Sequence, residues 1–160
     1  MEAHLKQIED EIQKRKVPKI SSTANRPHFP LGHRRFIFGI TRARFHGTIG
    51  LSNHSKRYPV LYQLVHDFGK KYIPIEFDSI HVNHNVVCPK HLDNKNIGVS
   101  AIVSCGQYTG CKLMIEGIEH DPYYNIITFN GSTQEHWNTD DLVGNRYSLI
   151  FYKSNNSRIN

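Results

Sequence analysis

The sequence predicts a mainly β domain, an antiparallel sandwich or barrel preceded by helices. Three observations predict it. From Ile73 onward, apolar residues recur at every second position in short runs, as half-buried strands require. Turn-forming residues divide those runs at Asn94–Asn96, Gly106–Gly110, His120–Tyr124 and Asn130–Ser132. Before residue 73, two segments repeat their apolar residues at helical spacing instead.

Residues 3–16 read as a helix, with Leu5, Ile8 and Ile12 on one stripe. Val17 to Pro30 holds Pro18, Pro27, Pro30 and the run Ser-Ser-Thr-Ala-Asn, and reads as a linker or a basic, extended arm. Arg35 to Phe45 alternates through Phe36, Phe38 and Ile40 and reads as a strand. Ser55 to Tyr72 reads as a helix, with Pro59 near its first turn and Tyr58, Leu61, Tyr62, Val65 and Phe68 at helical spacing. Strands are then expected around Ile75–Val82, Ile97–Val103, Leu113–Ile115, Ile126–Phe129 and Tyr147–Phe151. The predicted organisation is an N-terminal helix and arm over 1–30, a β domain over 31–153 and a polar tail over 154–160.

Composition excludes several classes. At 160 residues the chain is long enough for a sizeable core, and its 11% aromatic content argues against disorder. No apolar run reaches the roughly 20 residues of a membrane helix, and the charged N-terminus lacks a signal-peptide core, so an intracellular protein is expected. Three cysteines, Cys88, Cys105 and Cys111, form no C-x-x-C pair and no disulfide framework. Charge is unevenly placed. Residues 1–57 carry 12 basic and 4 acidic side chains, net +8, whereas residues 58–160 carry 8 basic and 10 acidic, net −2. No acid occurs between Glu11 and Asp67, a stretch with 11 Lys and Arg residues. Such a stretch suits a polyanion, nucleic acid above all, or forms a solubilising face.

The chemistry-bearing candidates follow in chain order. His91-Leu92-Asp93 on extended backbone turns an imidazole and a carboxylate to one face. That pair supplies two of the three ligands of a 2-His-1-carboxylate iron site, and His136, two or three strands later, can supply the third. Arg146 and Ser148 open the last strand on a common face, where a guanidinium fork and a hydroxyl make a clamp for a carboxylate.

The order H-x-D, strand, Gly-rich turn, strand, His and R-x-S carries a resemblance. H-L-D-x-x-N-x-G-V-S from His91, G-Q-Y-T-G-C-x-L from Gly106, His136-Trp137 and G-N-R-Y-S-L-I-F-Y from Gly144 resemble the Fe(II)/2-oxoglutarate-dependent dioxygenases. The texture is similar to the branch holding the TET/JBP nucleic-acid base hydroxylases and their algal and viral relatives. The resemblance covers Asn83 to Tyr152, fewer than half the residues. It implies a double-stranded β-helix, or jelly roll, with the helices packed on it. It implies that His91, Asp93 and His136 hold Fe(II), and that Arg146, with Ser148 beside it, binds the distal carboxylate of 2-oxoglutarate. An asparagine upstream of H-x-D, Asn83 or Asn85, would contact the co-substrate, as in AlkB-type members. The implied activity couples O2 and 2-oxoglutarate to hydroxylation of a C–H bond, with DNA or RNA as the partner. One departure is Cys111, where relatives often carry a second glycine after Gly110.

Alternatives stand beside this reading. Trp137 and Tyr108 either stack on a flipped base or pack at the rim. Arg42 and Arg44 either line a substrate groove or form a solvated face. A protein side-chain hydroxylase of prolyl type would use the same iron site. His81, His84, Cys88 and His91, spaced H-x2-H-x3-C-x2-H, would otherwise serve as zinc ligands of a non-catalytic nucleic-acid-binding module.

Overall fold

The computed structural model describes residues 1–20, 33–42, 49–94 and 96–154. In chain order these form α1 (Glu2–Gln13), β1 (Arg34–Arg42), β2 (Ile49–Leu51), α2 (Asn53–Arg57) and α3 (Pro59–Tyr72). Then come β3 (Ser79–His84), β4 (Asn96–Thr109), β5 (Leu113–Ile115), β6 (Ile118–His120), β7 (Ile127–Phe129), β8 (His136–Asn138) and β9 (Val143–Ser154). Strands β2-β1-β3-β9-β4-β7 make one antiparallel sheet, and β6-β5-β8 make a second. Among the described residues no helix is long and apolar enough to cross a membrane.

The period-two pattern gives the large sheet two unlike faces. Phe36, Phe38, Ile80, Val82, Val103, Leu149 and Phe151 lie on one face, buried in a single cluster with Leu5, Ile8 and Ile12 of α1 and Leu61, Val65 and Phe68 of α3. The helices therefore complete the core of the sheet, each side chain contributing roughly 1.5–3 kcal/mol by burial. The opposite face carries Arg35, His81, Asn83, Ser104, Arg146 and Ser148, and these too are buried. Buried polar side chains in such number are costly in a core and characterise a ligand site. The small sheet covers this face, with Leu113 and Ile115 packed on Ile102 and Phe129.

Several elements differ from expectation for local reasons. The helix expected from Ser55 to Tyr72 is split, because Tyr58 adopts φ −121 and ψ 62. The ring of Pro59 excludes the helical region for the residue before it. Ser52 caps the first piece, its hydroxyl accepting from Ser55 N–H at 3.1 Å. The strand expected from Ile75 begins at Ser79, and Ile75 and Phe77 pack at the edge of the core instead. No turn forms at Gly106. That residue holds φ +110 inside β4, and the ladder with β9 runs on to Thr109. A Cβ there would sit 2.2 Å from the Asn145 carbonyl oxygen, so only glycine lets the strands pair. The turn comes at Gly110–Cys111, and Cys111 occupies the left-handed region at φ +53 while fully buried. β2 and β6, three residues each, were not anticipated. The arm over 21–30, Arg44 and residues 155–160 of the tail lie outside the described residues, as does the side chain of Arg42.

Candidate active site

His91, Asp93 and His136 converge. Their ligand atoms lie within 4.8 Å of one another, the one such group of His, Cys, Asp or Glu among the described residues. Backbone geometry builds the group. His91 and His136 form an isolated antiparallel bridge, with His91 N–H donating to the His136 carbonyl at 3.0 Å and the reverse bond at 3.2 Å. Asp93 N–H donates to the Gly131 carbonyl at 2.8 Å, which fixes the third residue. The side chains are 6–12% exposed.

The tautomers follow from the partners. His91 Nδ1 lies 2.6 Å from the Pro89 carbonyl oxygen, and His136 Nδ1 lies 2.9 Å from that of Gln134. A carbonyl only accepts, so both Nδ1 atoms carry the proton and both Nε2 atoms present lone pairs. His136 Nε2 is 3.1 Å from one Asp93 oxygen and His91 Nε2 is 3.4 Å from the other. Two imidazole lone pairs and a carboxylate facing one another are a donor set for a divalent cation, with the far ring nitrogens anchored as metal-binding histidines require. The residues present thus fit Fe(II).

Gly131 was passed over as a turn residue, yet it makes the convergence possible. A Cβ on it would stand 2.9 Å from Asp93 Oδ2 and 3.4 Å from His136 Cε1. The signal available in the sequence was its place in the turn before His136.

The group opens onto a cavity between the two sheets. Asn83, Arg146, Ser148 and Trp137 line it. Arg146 is 2% exposed, and its Nε and Nη2 have no hydrogen-bond partner. An unpaired buried guanidinium is expensive, and an anion in the cavity would offset that cost. The register places Arg146 away from the triad. Phe129 packs edge-on against His136 at 4.8 Å and pairs with Ser100, while Ala101 pairs with Phe151. The triad is therefore level with the end of β9, and Arg146 lies towards its start.

The remaining candidates sit elsewhere. Asn85 is exposed, holds φ +53, and its side-chain oxygen accepts from Arg146 N–H at 2.6 Å, pinning the strand end beside the cavity. Tyr108 packs behind Arg146, its ring centre 5.7 Å from the guanidinium carbon, and bonds Ser104 Oγ at 2.5 Å. Trp137 carries Lys90 Nζ over its ring at 4.5 Å. The four proposed zinc ligands do not assemble. His81 and His84, three apart on β3, point to opposite faces. His84 stacks on Tyr147, and burial pushes the Cys88 thiol up to about 12. Among the described residues these four side chains form no metal-holding group. The basic stretch is not one surface either. Arg35 is buried against His81, Arg34 donates to the Val17 carbonyl, and Arg15 pairs with Glu11.

No protein-family model matches the sequence, and no curated protein matches it. In fold, the chain is a 2-oxoglutarate/Fe(II) oxygenase-type jelly roll with N-terminal helices. NgTET1, solved in complex with 5mC DNA, matches with a TM-score of 0.66 at 13% identity, over 98% of this chain and 68% of that one. An oxidoreductase of the 2OG-Fe(II) oxygenase family from Burkholderia pseudomallei matches with a TM-score of 0.56 at 15% identity, over 92% and 77%. A Pseudomonas putida prolyl-4-hydroxylase matches with a TM-score of 0.53 at 14% identity, over 95% and 86%.

Proposed function

We propose that the protein is an Fe(II)- and 2-oxoglutarate-dependent dioxygenase that hydroxylates a C–H bond of a nucleic-acid base. One observation carries the dioxygenase reading. A single cavity holds a two-histidine, one-carboxylate group level with the end of β9 and the unpaired buried guanidinium of Arg146 towards its start.

In this reading His91, Asp93 and His136 hold the metal through Nε2, a carboxylate oxygen and Nε2. Arg146 and Ser148, both lining the cavity, bind the distal carboxylate of 2-oxoglutarate and set its direction. When bound, Fe(II) supplies the redox chemistry by which R–H, O2 and 2-oxoglutarate become R–OH, succinate and CO2. The covering small sheet excludes water from the polar face, and Trp137 lines the cavity, where a flat base can stack.

Two observations support a nucleic-acid substrate: the net +8 of residues 1–57, and the fold likeness to NgTET1 in complex with 5mC DNA. The likeness to a prolyl-4-hydroxylase favours protein side-chain hydroxylation as the second reading.

The test is anaerobic reconstitution with Fe(II) and titration with 2-oxoglutarate. A weak visible charge-transfer band that His136→Ala abolishes is expected. Absence of the band in the metal-loaded wild type would overturn the reading. Turnover is then screened on DNA, RNA and peptides, and hydroxylation of peptides alone would select the second substrate class.

A further inference from the structure

The chain changes sheets between β7 and β8. β7 belongs to the large sheet and β8 to the small one, so residues 130–135 lie on neither ladder. Backbone groups that leave a ladder must find partners elsewhere. Two side chains help to supply them here. Asn130 N–H donates to Gln134 Oε1 at 2.8 Å. Asn130 Oδ1 accepts from Ser132 N–H at 3.2 Å and from Ser132 Oγ at 2.7 Å. These partners fix the orientation of both amides, because a backbone N–H only donates. The Asn130 carbonyl closes the turn, accepting from Thr133 N–H at 3.2 Å and Gln134 N–H at 2.8 Å.

The turn so knitted holds two of the three candidate metal ligands. The Gly131 carbonyl accepts from Asp93 N–H at 2.8 Å, and the Gln134 carbonyl accepts from His136 Nδ1 at 2.9 Å. The turn also presses on the carboxylate, since a Cβ on Gly131 would lie 2.9 Å from Asp93 Oδ2. Asp93 and His136 come from separate segments, yet Asp93 Oδ2 and His136 Nε2 stand 3.1 Å apart. One turn therefore sets both the backbone of Asp93 and the ring of His136. The ring of His91 is set separately, by the Pro89 carbonyl. A shift of the turn would move Asp93 and His136 relative to each other while the ladders of both sheets stayed paired.

We propose that Asn130 and Gln134 are positioning residues of the metal site. Their side chains hold the turn over residues 130–134 in the form that aims Asp93 and His136 at one ion. The proposal rests on the reading of His91, Asp93 and His136 as metal ligands. Asn130 Oδ1 and Gln134 Oε1 are engaged inside the turn, so they act on the site through its carbonyls and not as ligands.

Calorimetry with Mn(II) and visible absorption with Co(II) read the site without turnover. Gln134→Leu removes the acceptor for Asn130 N–H. It is expected to weaken Mn(II) binding roughly tenfold and to alter the d–d bands of the Co(II) protein, which report ligand geometry. Asn130→Ala should do the same. Asn130→Ser should recover part of that loss, because a hydroxyl accepts from the Ser132 N–H more weakly than an amide does. Asn130→Ala combined with Gln134→Leu should lose less than the product of the two single losses, since both act through one turn. A residue that only stabilises the fold would lower the melting temperature of the metal-free variant and leave Mn(II) affinity and the Co(II) bands as in the wild type. That outcome overturns the proposal and leaves the dioxygenase reading intact, as does Asn130→Ser binding Mn(II) no better than Asn130→Ala. If Gln134→Leu does not fold, the two Asn130 variants decide alone. A wild type that binds neither ion, or signals that survive His136→Ala, overturns the metal-site reading and the proposal with it.

Discussion

A guanidinium that is 2% exposed with Nε and Nη2 unpaired is costly to bury. Arg146→Met keeps much of the volume and removes the buried charge. Without ligand, this variant is expected to melt above the wild type. With Mn(II) and 2-oxoglutarate at about 100 times its dissociation constant, the wild type should gain about 2.7 kcal/mol while the variant gains little. A variant that melts lower and still responds to 2-oxoglutarate would count against Arg146 as the anion site. Gly131 makes the complementary case on the metal side. Its absent Cβ leaves room for Asp93 Oδ2, which a methyl would meet at 2.9 Å. Displacing the carboxylate by a few tenths of an ångström should lower Mn(II) affinity roughly ten- to hundredfold in Gly131→Ala, as loss of a supporting contact does at metal sites. Circular dichroism should remain that of the wild type, since the neighbouring bonds are backbone bonds of Asp93 and His136.

Elements were legible in proportion to their length. β9 and the first part of β4 alternate for long enough to show their period, whereas β2 and β6 have three residues each and cannot. Gly106 misled because glycine in sequence signals a turn. In the fold it serves close approach of β4 to β9. The same lesson holds for α3. Gly69 sits in a helix, where glycine costs about 1 kcal/mol relative to alanine, and nothing in the sequence explains it. The structure does: a Cβ would lie 2.5 Å from Phe77 Cζ and 2.7 Å from Phe151 Cε1. Phe151 is fully buried, so neither the helix nor the sheet can yield easily. Gly69→Ala should therefore cost about 1–3 kcal/mol in urea denaturation despite alanine's better helix propensity. Of the site, His91, Asp93, His136, Arg146 and Ser148 were legible because their side chains carry the chemistry in a recognisable order. Gly131 contributes only by lacking a side chain. His81 bonds Arg35 on β1 and Tyr152 on β9, long-range contacts that no local pattern shows.

At the scale of the molecule, the question is where the positive charge lies relative to the cavity. The helices cover one face of the large sheet and the cavity opens on the other. Arg15 and Arg57 both approach the ring of Tyr58, at 6.0 and 5.6 Å, and Tyr58 itself packs against the helix-side core. Lys16, Lys56 and Arg57 are exposed, and Lys14 and Arg15 are paired with Glu11. The exposed basic residues around Tyr58 therefore belong to the helical layer, on the face of the large sheet opposite His91, Asp93 and His136. If the substrate is nucleic acid, a strand whose base enters the cavity has its flanking phosphates free to reach this layer. Each phosphate contact adds about 0.7 for a single strand, or 0.9 for a duplex, to the slope of log affinity against log salt. Lys56→Glu with Arg57→Glu should therefore weaken binding of a 20-nucleotide single strand and flatten that slope by about 1.4. 2-Oxoglutarate affinity should stay at the wild-type value, because neither residue touches the cavity. An unchanged slope would assign the patch to solubility and shift the search for phosphate contacts to Lys90, which lies over Trp137 beside the cavity.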